Sequence, residues 1–387
     1  MTVPFPRVLM AEATEWRGTT HVGSHALARA FLADGSRVMW VGTPLYPTTL
    51  RHAGDPYTRR RIDAWRAGGA VDHNLVEYYP MTLLPVVDAP GLRTRLSARN
   101  TLRATIPPLG SVLKHHGFQE PDVLWLSNSR FSHALPQMVR ARVSACRISD
   151  DWAHFGTVPP ALIALHNEMV DACDVVFATS RRLVEGLASR RPDAIYLPNG
   201  VADAFLAPAG APPEWLSRHA RPRVVFVGKL DAWVDFAAIA RVGEHLPRAS
   251  LLVVGPGTPA KRDYPPNVHF TGPVPYEQLP ALLAACDVGI VPFIKNELTH
   301  AVSPLKLFEY LATGLPVVAT RLDEMEATAS PAVLCDDADT FARAVERVLD
   351  GDPGGRAARV AFAREHTWAH RYATVSAALA ARLRGGS

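Results

Sequence analysis

Cysteine is scarce in this chain, and lysine is nearly absent. The four cysteines, Cys146, Cys173, Cys286 and Cys335, are scattered beside apolar, strand-like runs. They lack the C-x-x-C or Cys/His spacing that zinc requires, and so read as reduced core thiols of a cytosolic protein. The only lysines are Lys114, Lys229, Lys261, Lys295 and Lys306. With the abundance of alanine, that arginine bias looks like coding from a GC-rich genome and says little about chemistry. Apolar runs stop well short of the roughly 20 residues that span a bilayer, and no charged leader followed by an apolar core opens the chain. Any membrane contact is therefore expected to be peripheral. A strong excess of one charge is missing too: 41 Lys and Arg stand against 37 Asp and Glu, a formal net charge of +4. That is too mild to indicate a nucleic-acid binder, and it suits a negatively charged small ligand or an anionic membrane surface equally well.

What is present is hydrophobic content, 48% of 387 residues, enough for two cores of about 180 residues each. Apolar runs alternate with helical patterns throughout, which predicts α/β architecture with parallel sheets. In the first half, strands are expected at 8–10, 37–41, 123–126, 146–148, 175–178 and 195–197. Helical patterns cover 21–32, 93–115, 135–142, 162–172 and 182–189. The alternation restarts with strands at 224–227, 250–254, 268–270, 288–291, 316–319 and 332–334. Between the halves, residues 198–213 are rich in Pro, Gly and Ala and suit a hinge or linker. The stretch 368–383 has a helical period.

One segment carries the most chemistry: Ser303-Pro304-Leu305-Lys306-Leu307-Phe308-Glu309-Tyr310-Leu311-Ala312. It places a cation and a carboxylate on the opening turns of a helix that feeds a buried strand. Unpaired N–H groups and the dipole at such a helix start can hold a diphosphate, Lys306 adds a full charge, and Glu309 can accept from vicinal hydroxyls. The plainer alternative is an amphipathic helix that packs Leu305, Phe308, Leu311 and Ala312 on a sheet.

A second acidic feature is Asp150-Asp151, just past the strand at 146–148. Carboxyl ends of central strands face ligand crevices, and adjacent carboxylates discourage each other's ionisation; one of the pair can instead cap the next turn. His21 and His25 lie at the helix start after the first strand, where either can act as a base, bond a sugar hydroxyl or cap the helix. Asp336, Asp337 and Asp339 include an Asp-x-Asp but precede a helix and read as its cap rather than a metal site. His115 and His116 end a helix and compensate its dipole. Arg93, Arg95, Arg99 and Arg103 punctuate Leu92, Leu96, Leu102 and Ile106, the pattern of a basic amphipathic helix, with Arg59, Arg60 and Arg61 nearby in sequence.

Several stretches in series resemble the GT-B glycosyltransferases, and in particular the bacterial group-1 and exopolysaccharide, glucuronosyltransferase-like type. They are Asp174-Val175-Val176-Phe177-Ala178-Thr179-Ser180, Leu197-Pro198-Asn199-Gly200-Val201, Val227-Gly228-Lys229-Leu230, Phe270-Thr271-Gly272-Pro273-Val274-Pro275-Tyr276, and the Lys306/Glu309 segment. The resemblance spans nearly the whole chain. It implies two Rossmann-like doubly wound domains facing a cleft: an acceptor-binding domain at 1–198, a nucleotide-sugar-binding domain at 199–366, and a helix at 367–387 returning to the first. It implies transfer from a nucleotide-diphosphate sugar, UDP-sugar foremost with GDP- or TDP-sugar as alternatives, to a hydroxyl of a glycan, lipid-linked saccharide or natural product. No metal and no other cofactor is expected, and inversion is preferred.

By the same resemblance the donor contacts fall on Gly228, Lys229, Pro275, Tyr276, Ser303, Pro304, Leu305, Lys306 and Glu309. Asp150 is the expected base, with Asp151, His21 and His25 as rivals. Tyr276 can stack on a nucleobase or simply start a helix. Many retaining members carry two glutamates separated by seven residues; counting back from Glu309 gives Ala301, and Glu297 is too far away. Relatives of this type work at the inner face of the plasma membrane. Two other readings share the fold: a sugar-nucleotide epimerase and a catalytically inactive partner protein.

Overall fold

Four consecutive buried positions in Val175–Ala178 and again in Val288–Val291 demand cover on both faces, which a parallel sheet between helix layers supplies. The computed structural model describes residues 3–18, 21–84, 94–127, 130–155, 158–351 and 355–385. The chain falls into two units, Met1–Leu197 with Tyr372–Ser387, and Pro198–Arg371.

In the first unit the strands are β1 Arg7–Ala11, β2 Arg37–Val41, β3 Ala70–Asp72, β4 Leu75–Tyr78, β5 Met81–Thr82, β6 Thr105–Ile106, β7 Val123–Ser127, β8 Val143–Ile148, β9 Val175–Ala178 and β10 Ile195–Tyr196. Eight of them form one sheet in the order β10-β9-β8-β7-β1-β2-β4-β3. Its pairings are parallel except that β3 runs against β4. The order reverses between β1 and β7, so the carboxyl ends of those two strands mark the switch point where open α/β sheets bind ligands. The closing helix, Trp368–Gly385, packs on this unit through Tyr372, whose ring meets Phe31 edge-on at 5.1 Å and whose hydroxyl donates to Asp34 at 2.7 Å. Arg382 reaches Asp174 at 3.1 Å.

The second unit holds β11 Arg223–Val227, β12 Ser250–Val254, β13 Val268–Gly272, β14 Val288–Val291, β15 Val317–Thr320 and β16 Val333–Cys335. All are parallel, in the order β13-β12-β11-β14-β15-β16. This is the doubly wound nucleotide-binding order, with its switch point between β11 and β14. The core is one cluster that runs from Val201 and Phe205 to Ala363.

Three expectations need correction. The helix expected over 93–115 is two helices, Arg95–Asn100 and Leu109–His116, with β6 between them. Pro107 and Pro108 have no N–H for a continuous helix, and β6 instead pairs with β5; Leu92 and Arg93 lie outside the described residues. The helix expected over 135–142 is a single 3-10 stretch, Ser132–Gln137, containing Pro136. Beyond it the backbone is drawn off, with Arg140 and Arg142 donating to the carbonyls of Gln119 and Pro121. The third concerns only the opening of 198–213, where Val201 bridges to Thr367 and Phe205 is buried; residues 207–212 are exposed and outside regular elements, and the two units divide at Leu197 and Pro198.

Tyr310, itself fully buried, ties the helix Leu305–Ala312 to the central strand, because its hydroxyl accepts the N–H of half-buried Val227 at 2.7 Å. Tyr310→Phe leaves that N–H unpaired and is expected to lower unfolding free energy by about 1–3 kcal/mol in denaturant titration. Unchanged stability would mean that Val227 finds another acceptor.

Candidate functional site

At the switch point of the second unit the chain leaves β11 at Gly228. A Cβ there would lie 3.1 Å from Lys306 Nζ, and one on Gly255 would lie 1.9 Å from the Gly228 carbonyl oxygen. Both positions therefore need glycine to let the two turns and the lysine meet. Lys306 Nζ sits over the rings of Phe226 and Phe293, at 5.2 and 4.7 Å from their centroids. Its helix, Leu305–Ala312, begins behind Pro304 with no side-chain cap; the Leu307 N–H reaches the Pro304 carbonyl at 3.3 Å, and those of Leu305 and Lys306 have no acceptor within the helix. Asn199 holds the preceding turn, donating to the Ser303 hydroxyl at 3.2 Å and carbonyl at 2.5 Å. Phe308, Leu311 and Ala312 are buried in the core, so the packing role and the charged helix start coexist on one helix.

Glu309 is buried and accepts from the Tyr276 hydroxyl at 3.1 Å. Tyr276 opens a 3-10 turn behind Pro275 and sets its ring edge-on to Phe205 at 5.5 Å. Lys229 turns outward, pairing with Asp231 at 2.6 Å and lying 5.4 Å from the Trp233 ring. Burial brings the Lys306 ammonium down to about 8, against the opposing pull of Glu309. Burial likewise pushes Glu309 up to about 7, against the Tyr276 bond and the Lys306 charge. A cation resting on aromatic faces beside unpaired N–H groups is a receptor for a small polyanion.

The first unit gathers a different cluster at the β1/β7 switch point. Glu12, the residue after β1, is buried and accepts from the Ser127 hydroxyl at 2.8 Å; Ser127 and Ser24 share a bond of 3.1 Å. Arg147 on β8 is buried and acts electrostatically on both Glu12 and Asp150. Asp150 accepts from Ser149 at 2.7 Å, and burial raises its proton affinity. The expectation for sequence position 12 was silent, although the strand-end argument used for Asp150 applies to it equally.

His25 has both ring nitrogens engaged, which disfavours it as a base. It is fully buried, accepts the Val22 N–H at Nδ1 and bonds the Glu15 carbonyl at Nε2 (3.1 and 2.9 Å), and it is stacked by Trp16 and His21. Burial pulls it down to about 4, so it is a neutral helix cap. His21 is half-buried, and its Nδ1 already accepts from Arg29 at 3.2 Å. Asp151 caps the 3-10 turn Trp152–His154 through the Ala153 N–H and pairs with His154 at 2.7 Å. Asp337 caps the helix Ala338–Asp350 through Thr340, while Asp336 and Asp339 pair with Lys295 and Arg241. His116 bonds the Gly68 carbonyl at 2.8 Å. Among the described residues, no group of three or more His, Cys, Asp and Glu is arranged to hold a metal.

Residues 221–351 match the family model "Glycosyl transferases group 1". A Bacillus subtilis (strain 168) protein assigned to teichuronic acid biosynthesis as a glycosyltransferase, TuaH, is 34% identical over 155 residues, 37% of this chain and 39% of that relative. The match thus spans well under two thirds of the relative's length. Among solved structures, sucrose-phosphate synthase from Thermosynechococcus elongatus superimposes with a TM-score of 0.67 at 17% identity, covering 98% of this chain and 100% of its own. Anabaena HepE in complex with UDP and glucose gives 0.69 at 13% identity, with 97% and 99% coverage. A UDP-forming α,α-trehalose-phosphate synthase from Burkholderia xenovorans gives 0.65 at 15% identity, with 97% and 98%. The fold is GT-B, with two Rossmann-like units, and the second unit carries the group-1 glycosyltransferase signature.

The lysine makes a pH prediction. Folded Lys306 loses its proton near 8 and unfolded lysine near 10.5, so between those values the unfolded chain binds more protons and stability climbs with pH. That contribution is fully present only above 10.5 and is lost as pH falls through 8. Lys306→Met is expected to flatten this part of a stability–pH curve measured by denaturant unfolding, and equal slopes for both proteins would count against the burial.

Proposed function

We propose that the protein is a glycosyltransferase that moves a sugar from a nucleotide diphosphate, UDP foremost, to an acceptor hydroxyl. The second unit holds the donor and the first holds the acceptor. The observation that carries this is Lys306, held between two phenyl faces at an uncapped helix start beneath Gly228. A diphosphate placed there gains the ammonium, the N–H groups and the dipole together. Glu309 receives ribose hydroxyls on the carboxylate that Tyr276 orients. HepE in complex with UDP-glucose supports the choice of base, and the teichuronic acid relative supports an envelope polysaccharide as the acceptor class.

Asp150 takes the acceptor's proton as its oxygen attacks the anomeric carbon, and the C–O bond to the diphosphate breaks with its electrons going to phosphate. The lysine and helix start offset the charge that develops. Direct displacement of this kind inverts the anomeric configuration. A silent partner would keep the clamp without needing a base on the first unit, and the half-buried Asp150 cluster does not favour it; an epimerase would use both, and differs in turning over the donor with no acceptor present.

A membrane-facing role has a separate basis. Among the described residues, every large hydrophobic side chain that is exposed, Leu50, Tyr57, Val71, Leu83, Leu96 and Ile106, falls within residues 50–106. Exposed Arg51, Arg59, Arg60 and Arg66 lie in the same stretch. Apolar anchors among cations suit an anionic leaflet presenting a lipid-linked acceptor. Among the described residues no helix is long and apolar enough to cross a membrane.

Two experiments test these readings. In a thermal-shift panel of UDP, GDP, TDP and ADP, UDP is expected to raise the melting temperature most, and Lys306→Ala to abolish the shift. Asp150→Asn should keep the shift and lose about 10²–10⁴-fold in turnover. No response to any nucleotide would end the transferase reading. In vesicle co-sedimentation, the protein should pellet with anionic and not with neutral vesicles, and Leu96→Glu should weaken pelleting. Absence from both would end the membrane proposal.

A further inference from the structure

A cavity of about 330 Å³ opens in the first unit beyond the carboxyl ends of β1 and β4, on the side of β1 away from β7. Its volume falls at the lower end of the range for small-molecule sites, about 300–1,000 Å³. Six ionisable side chains line it, Arg17, Arg60 and Arg61 against Glu15, Asp63 and Glu77, with Tyr57 and Tyr79 beside them. Neither the donor half-site nor the Asp150 cluster uses any of these side chains.

Fixed contacts hold the walls. Tyr79, fully buried, donates its hydroxyl to Glu77 and accepts the Trp16 N–H at 3.3 Å. Arg61, on the helix Pro56–Arg66, donates to the Thr43 carbonyl at 2.8 Å and lies 5.3 and 5.8 Å from the ring centroids of Tyr79 and Tyr57. Arg17 is steadied by Asp72 at 3.1 Å. The charges lining the cavity nevertheless meet without closing on each other. Arg61 Nε stands 3.5 Å from Glu15 and Arg17 Nε stands 3.6 Å from Glu77, separations too long for good hydrogen bonds. The Arg61 Nε–H is buried and finds no acceptor among the described residues, and Glu77 is 6% exposed. Polar groups left in this state are costly, and a ligand that completes their bonds recovers the cost.

Three positive and three negative groups cancel around this space, and the balance selects the ligand class. An anion would face Glu15, Asp63 and Glu77, and a cation would face the three arginines. An alkyl chain would strip water from all six without replacing its bonds. A hydroxyl group both donates and accepts, so a neutral polyol can bridge each gap between carboxylate and guanidinium. The ring of Tyr57, 38% exposed, offers an apolar face to C–H groups beside them. We propose that this cavity is a binding site for one neutral sugar residue of the acceptor. This rests on the reading of the first unit as the acceptor side, and it gives that acceptor a chemical class: a saccharide, gripped at a residue that carries no carboxylate.

Saturation-transfer NMR tests this without donor or turnover, using the methyl glycosides of glucose, galactose, mannose and N-acetylglucosamine, with methyl glucuronide as the charged control. At least one neutral glycoside is expected to take up saturation from the wild-type protein and to bind more tightly than the glucuronide. Two variants should each weaken that binding about tenfold or more, the loss of one charge-assisted bond. Arg61→Met removes the guanidinium, whereas Ala67→Trp fills the cavity from an exposed wall position and removes no bond. Ala67→Trp should keep the wild-type melting temperature and any UDP shift, so its loss of binding cannot be a folding defect. No signal from any neutral glycoside, a preference for the glucuronide, or binding that survives both variants overturns the proposal. The two readings fail separately. A UDP response with no glycoside binding strikes this site and leaves the transferase; glycoside binding lost in both variants, with no nucleotide response, keeps a sugar site and strikes the transferase.

Discussion

Lys306 is a half-buried cation, and no capping side chain shares its helix start. Contacts with Phe226 and Phe293, each worth about 0.5–2 kcal/mol, fall short of the several kcal/mol that desolvating an ammonium costs. The lowered proton affinity of the lysine expresses that shortfall. Much of the surrounding sequence exists to hold this state. Gly228 and Gly255 clear the space, Tyr310 fastens the helix to β11, and Asn199 fixes the turn before it. A group with two negative charges relieves in one step what the protein's own residues leave uncompensated.

The two units solve complementary electrostatic problems at equivalent points of their sheets. Both bring charge to the place where strand order reverses, because only there do loops diverge enough to leave room for a ligand. The second unit presents a cation with unpaired N–H groups, suited to charge leaving on a phosphate. The first presents carboxyls, Glu12 and Asp150, whose proton affinity burial raises, suited to receiving a proton. The displacement proposed above would call on both kinds of chemistry.

Legibility in the sequence followed how local each cause was. Alternating apolar runs and helical periods gave the two α/β units, since burial on both faces leaves a continuous hydrophobic signature. The Lys306 helix was readable because its charge and its packing face lie within one segment. The failures were non-local. Helix 93–115 was broken by Pro107 and Pro108 together with a pairing between β5 and β6, which no window on the helix reveals. His25 had the right residue type for a base, and only the tertiary placement of Trp16, Trp40 and the Glu15 carbonyl made it a buried cap. Tyr276 left its alternatives open until the structure gave its hydroxyl to Glu309. Glu12 went unnoticed because a single acidic residue after a strand is unremarkable until Ser127 and Arg147 arrive from strands more than a hundred residues away.

Ala301 sharpens the charge argument at the donor half-site. It is 1% exposed, so a second glutamate there would have to be buried beside a helix start that already carries Glu309. Two buried carboxylates would compete for Lys306 and raise each other's proton affinity. With alanine in place, Glu309 is the carboxylate that acts on the lysine among the described residues. Under the proposed reading, that would favour holding a leaving diphosphate over stabilising a cationic sugar, and would leave activation of the acceptor to the carboxyls of the first unit. The raised proton affinity that burial gives Asp150 suits such a division of labour.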